Sequence, residues 1–141
     1  MFESEGYKLM GAAFEVYNQL GYGMAEEIYQ QSLETELELR GIPFVSKDEL
    51  AVFYKGRQLE TKYKPDLFVF GGIVVELKAV SELVSDHAAQ LFNYLRIARK
   101  RVGYLLNFAG GANWSGNGSS CRTCTLKEGN TDHPGRNTNQ H

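Results

Sequence analysis

The sequence predicts an α/β (α+β) domain, two helices followed by a mixed central sheet with a third helix, in the order ααβββ(β)αβ. Three observations carry this. Up to Gly41 apolar residues recur at helical spacing. Between Ile42 and Ala79 the pattern changes to short runs rich in Val, Ile, Phe and Tyr, separated by turn residues. A further helical stretch and a closing apolar run then complete a sheet flanked by helices.

The first helix is expected from about Glu5 to Leu20, with Met10, Phe14 and Tyr17 on one stripe. Gly21 and Gly23 end it, because glycine readily takes the left-handed conformation at a helix C-terminus. The second runs from about Ala25 to Arg40, with Tyr29, Leu33 and Leu37 inward and Gly41 as its stop. Ile42–Ser46 and Glu49–Tyr54 read as short strands, and Lys55-Gly56-Arg57 as a turn into another extended run. Tyr63–Phe70 and Ile73–Ala79 are stronger strands around Gly71-Gly72. A third helix spans about Ser85 to Lys100, capped by Ser85 or Asp86, and Val102–Phe108 is a final buried strand.

The chain has 141 residues, enough for one domain and a core without staples. Residues 1–109 form the expected domain. From Gly110 to His141 the composition shifts to Gly, Asn, Ser and Thr, with Trp114 and Leu126 the only bulky apolar residues, so this tail is expected to be mostly disordered or atypical. The net charge of -2 argues against permanent residence on duplex DNA, since phosphate neutralisation favours a basic excess. No apolar run is long enough to span a membrane, and the acidic N-terminus lacks signal-peptide character. Cytoplasmic residence is expected. Cys121 and Cys124, with His133 and His141, lack the compact spacing of a structural zinc site.

The chemistry gathers around Pro65-Asp66 and Glu76-Leu77-Lys78. Residues two apart in a strand share a face, so Val74, Glu76 and Lys78 point one way and Ile73, Val75 and Leu77 the other. Both faces are otherwise apolar, where a carboxylate and an ammonium are costly unless paired or bound to metal. The bland alternative is an ion pair emerging at the sheet's end. A strict two-residue Gly71-Gly72 turn would set Asp66 opposite Leu77, whereas a three-residue loop, Phe70 to Gly72, sets it opposite Glu76. The second register is adopted, because it converges two carboxylates with a lysine. Glu26 shares the inward face of its helix with Tyr29 and Leu33, or else stabilises the helix N-terminus through the dipole. Gln90 and Tyr94 stack on one side of the third helix. Arg96, Arg99, Lys100 and Arg101 form a basic cluster that would face solvent or hold phosphates.

These motifs carry a resemblance. Gly23-x-x-Glu26-x-x-Tyr29 and the stretches Tyr63-Lys64-Pro65-Asp66-Leu67, Val75-Glu76-Leu77-Lys78-Ala79, Gln90-Leu91-Phe92-Asn93-Tyr94-Leu95 and Gly103-Tyr104-Leu105-Leu106-Asn107-Phe108 resemble, in order, the small bacterial GxxExxY proteins. That family is placed in the PD-(D/E)XK nuclease superfamily, and its pattern is similar to the RecB-type branch. The resemblance implies a restriction-endonuclease-like fold and a nuclease acting on nucleic acid, DNA before RNA. It implies Asp66, Glu76 and the Leu77 backbone carbonyl as ligands of Mg2+ or Mn2+, with Glu26 as a further candidate ligand or catalytic carboxylate. Lys78 is the implied catalytic lysine, and Gln90 and Tyr94 the implied substrate-binding residues; Tyr29 of the first motif and Arg96 of the basic cluster are further substrate-binding candidates. Beyond Phe108 the chain departs from the family pattern, through a frameshift or a natural variant. The alternative to a nuclease is a catalytically silent binding or regulatory module, including a homo-oligomeric one. An unprotected sheet edge at the altered tail would favour self-association.

Overall fold

The structure is a computed structural model; it describes residues 2–81 and 85–108 and the backbone of 121–125. Its elements are α1 (Glu3–Leu20), α2 (Glu26–Leu39), β1 (Phe44–Ser46), β2 (Leu50–Tyr54), β3 (Arg57–Tyr63), β4 (Leu67–Val69), β5 (Ile73–Lys78), α3 (Ser85–Ile97), β6 (Val102–Asn107) and β7 (Cys121–Thr125). The central sheet has the order β1-β4-β5-β6-β7, and β2 and β3 form a separate two-stranded sheet. Among the described residues only β5 and β6 run parallel, joined through α3 as a parallel crossover requires.

Three layers result, and period-two alternation assigns them. Ile73, Val75 and Leu77 of β5 pack with Leu9, Val16, Leu33 and Leu37 of α1 and α2. Val74 on the opposite face packs with Leu91 and Leu95 of α3 and with Leu50 and Val52 of the β2–β3 hairpin. Gly103 of β6 lets α3 approach closely: a Cβ there would lie 3.1 Å from a Leu95 methyl.

Two expectations are revised. The stretch Tyr63–Phe70 is not one strand. Tyr63 ends β3 in the hairpin sheet and Leu67 begins β4 in the central sheet, with buried Pro65 between them. Proline has no N–H for a ladder, so the break falls where the chain must change layers. The third helix stops at Ile97 rather than Lys100, because Arg99 turns left-handed (φ 59°) and the Lys100 N–H bonds back to the Leu95 carbonyl. Within the segment expected to lie outside the domain, Cys121–Thr125 forms β7, antiparallel to β6. The remainder of that tail, including Trp114, His133 and His141, lies outside the described residues.

Candidate active site

The loop between β4 and β5 has three residues. Val69 pairs with Ile73 and Leu67 with Val75, so continuing the register sets Asp66 opposite Glu76. The turn closes with the Gly72 N–H on the Val69 carbonyl, and Phe70 and Gly71 both carry positive φ. Asp66 is held from several sides. Its Oδ2 accepts the Leu77 N–H at 2.7 Å, and its carbonyl accepts from Gln30 Nε2 and from the Lys47 N–H. Lys47 Nζ stands 3.8 Å from Oδ1, a half-exposed pair of small energetic weight.

Pro65 has a second consequence. Backbone polar groups along a strand alternate in direction. The Lys78 carbonyl is directed at β6, where it accepts the Phe108 N–H. The Leu77 N–H and carbonyl therefore face β4, where the same register puts Pro65. Asp66 takes the Leu77 N–H, but proline has no N–H to offer the Leu77 carbonyl. A carbonyl oxygen without its ladder donor thus lies on the side where Asp66 reaches β5.

Glu76 is mostly enclosed, and burial pushes its carboxyl up to about 7; the neighbouring Asp66 charge adds to this, against the opposing pull of the Tyr63 hydrogen bond and Lys78. The Tyr63 hydroxyl donates to Glu76 Oε2, and burial followed by the Glu76 charge holds the phenol above its usual range, so it stays a donor. The Tyr63 ring stacks on Tyr94 of α3, with centroids 4.2 Å apart and planes at 8°. Buried Asn107 clips the exit of β5 by donating to the Val80 carbonyl and accepting the Val80 N–H. Glu76, Lys78, Gln90 and Tyr94 all line one cleft of about 430 Å³ between the hairpin and α3.

Other expected residues fall elsewhere. Glu26 is exposed rather than inward, and its carboxylate accepts the Ala79 N–H at 3.2 Å, one residue beyond Lys78. Tyr29 is fully buried. Its hydroxyl donates to the Gly21 carbonyl at 2.6 Å and accepts the Met24 N–H, while its ring stacks on Phe108. It therefore fastens the α1–α2 loop and has no surface to offer a substrate. Arg96 is exposed and donates to Asn93, away from the cleft lining. Arg99 lies over the Phe53 ring and Lys100 over Phe68, so part of the basic cluster ties α3 to the hairpin and sheet.

Sequence reasoning missed Tyr63 and Gln30. Tyr63 was absorbed into a supposed continuous strand, although Pro65 two residues on was the sign of a break. Gln30 lies beside the Tyr29, Leu33 and Leu37 stripe and is buried, bonding Glu34 and the Asp66 carbonyl.

A two-carboxylate site with a lysine after the second carboxylate, on a hairpin within a mixed sheet, now stands beside the sequence comparisons. The PD-(D/E)XK nuclease superfamily model matches residues 3–115. The chain belongs to the PD-(D/E)XK nuclease superfamily. Pro65-Asp66 and Glu76-Leu77-Lys78 supply the pattern of that name. The crystal structure of SSO0001 matches with a TM-score of 0.50 at 19% identity, covering 89% of this chain and 59% of that one. This chain therefore spans less than two thirds of that protein, and at such identity the likeness speaks for the fold alone. A search of curated proteins gave no match.

Nucleases of this superfamily generally use divalent metals, and the donors here fit a hard cation. Asp66 and Glu76 are two close carboxylates, and the Asp66 charge helps to hold the Glu76 carboxyl up, which a cation would relieve. The Leu77 carbonyl, to which Pro65 offers no N–H, is a third oxygen. Among the described residues no three His, Cys, Asp or Glu side chains converge, so Glu26 does not join the pair in this conformation.

Proposed function

We propose that this protein is a divalent-metal-dependent nuclease that hydrolyses phosphodiester bonds, and that it is one of the GxxExxY proteins, with residues 1–109 as its nuclease domain. The observation that carries the reading is the pairing of Asp66 with Glu76 beside a Leu77 carbonyl that Pro65 leaves without a donor. Asp66, Glu76 and that carbonyl would hold Mg2+ or Mn2+, with waters completing an oxygen shell. When bound, such an ion lowers the pKa of an attacking water and polarises the phosphate. Lys78 orients the water and offsets negative charge that builds on the phosphate oxygens. Gln90 and Tyr94 position the backbone of the substrate within the cleft. Glu26, held at the end of β5, is near enough in sequence register to Lys78 to act through a water. DNA is favoured over RNA on the family resemblance, and the cytoplasm is proposed as its place of work.

The test is incubation of the protein with single- and double-stranded DNA and RNA in Mn2+, Mg2+ or EDTA, alongside Glu76→Ala and Lys78→Ala. Cleavage that needs the metal and is lost in both variants is the expected result. Intact substrates with a folded protein that binds no metal would reject it. A silent binding module is the second reading, favoured by one observation: Arg99 and Lys100 stand over aromatic rings instead of lining the cleft.

A further inference from the structure

We propose that the cleft beside Glu76 and Lys78 is a subsite for one unstacked nucleobase, so that the preferred substrate is single-stranded at the position it presents to Lys78. The consequence for cleavage rests on the nuclease reading; the subsite itself does not. A site that recognised only phosphates would need cations and backbone donors on an open surface. This one is a concavity whose interior is apolar. Val52, Leu91 and Leu105 are buried at its floor. Leu59 of β3 remains 42% exposed and Ile97 of α3 partly exposed, and both line the cleft from different layers. Two apolar walls supplied by a hairpin and a helix suit a flat ring between them. Its volume of about 430 Å³ lies at the lower end of ligand pockets, roughly 300–1,000 Å³.

The rim has the complementary chemistry. Lys62, Lys64 and Lys78 offer cations to a strand backbone, and Gln90 offers both a donor and an acceptor to a base edge. The stacked rings of Tyr63 and Tyr94 line the same cleft, so the gap between hairpin and helix already accommodates parallel aromatic planes. A fully paired duplex keeps its base faces inside the stack, where these apolar walls cannot reach them. A strand with an unstacked base exposes both faces, and base stacking or apolar contact is sequence-tolerant.

Fluorescence anisotropy in EDTA tests this without turnover. The probes are a labelled single-stranded deoxyoligonucleotide, the same strand with abasic residues at its centre, and a fully paired hairpin. The base-bearing strand is expected to bind about ten-fold more tightly than either of the others. Leu59→Ser, on the exposed side of β3, removes the apolar wall without adding charge and should erase that advantage while leaving the abasic strand's affinity unchanged. Equal binding of base-bearing and abasic strands overturns the subsite, as does a Leu59→Ser effect that is the same on both. No binding of any probe overturns it too. Discrimination without metal-dependent cleavage of any substrate keeps the subsite and rejects the nuclease; cleavage without discrimination does the reverse.

Discussion

The two faces of β5 meet different surroundings. On one, Ile73, Val75 and Leu77 are sealed against α1 and α2, none more than 2% exposed. On the other, Val74 is equally buried, but Glu76 and Lys78 follow it into a cleft. The strand is one, and its backbone pairs on both sides. What separates the faces is the layer above each. Two long helices bury the first, whereas α3 and a small hairpin cover the second and leave an opening between them. Stability and chemistry can thus occupy alternate residues at the end of one strand, and beyond Val74 a substitution should affect one or the other according to parity.

The sharpest break of this rule would come from Lys78→Ala. On the nuclease reading, cleavage should fall by on the order of 10²–10³ with little change in unfolding midpoint. A large loss of stability with it would mean that the two faces are not separable. Ile73→Ala should do the opposite, costing about 2–5 kcal/mol in denaturant unfolding while any metal affinity of the folded protein is retained.

Glu76 contributes a pH dependence with a definite sign. Its folded pKa, about 7, lies above the ordinary 4.5. Between those values the native state keeps a proton that the unfolded state has released. Metal-free stability should therefore fall as pH rises through that window, by about 3 kcal/mol at most. Urea unfolding at both ends would show the fall, Glu76→Gln should flatten it, and saturating Mn2+ should restore stability at the upper end. A rise with pH would contradict the burial that sets the shift. The smallest effect is expected from Tyr63→Phe, which keeps the stack on Tyr94 and removes the donor to Glu76. Mn2+ affinity by calorimetry should weaken about ten-fold; an unchanged affinity would reduce Tyr63 to a filler of space.

Parity was legible in the sequence, because alternation along Ile73–Lys78 reports which residues share a face. So was the convergence of Asp66 with Glu76, once a three-residue loop was chosen over a two-residue one. What periodicity does not report is which element stands over a face. Nothing in β3's own pattern shows that Tyr63 reaches Glu76, since the contact depends on the hairpin folding over α3. Tyr29 misled for the related reason that a tyrosine at an inward helical position can serve a loop as readily as a ligand. Its hydroxyl spends both its capacities on Gly21 and Met24. The expected inward place of Glu26 failed because it sits at the first turn of α2, beyond the end of the packed stripe. β7 was obscured by composition, as Cys121–Thr125 is paired through backbone groups that a polar sequence supplies as well as an apolar one.

The tight loop between β4 and β5 also bears on the order of assembly. Asp66 and Glu76 meet across a hairpin, among the most local contacts a sheet can make and among the cheapest in closure entropy. The cleft has a different origin: its walls wait for the crossover through α3 to bring β6 alongside β5, and for the β2–β3 hairpin to dock. The carboxylate pair can therefore form in a chain that is still incomplete, and the wall that would admit a substrate comes later. A cation present during folding would meet its ligands before there is any cleft for a strand to enter.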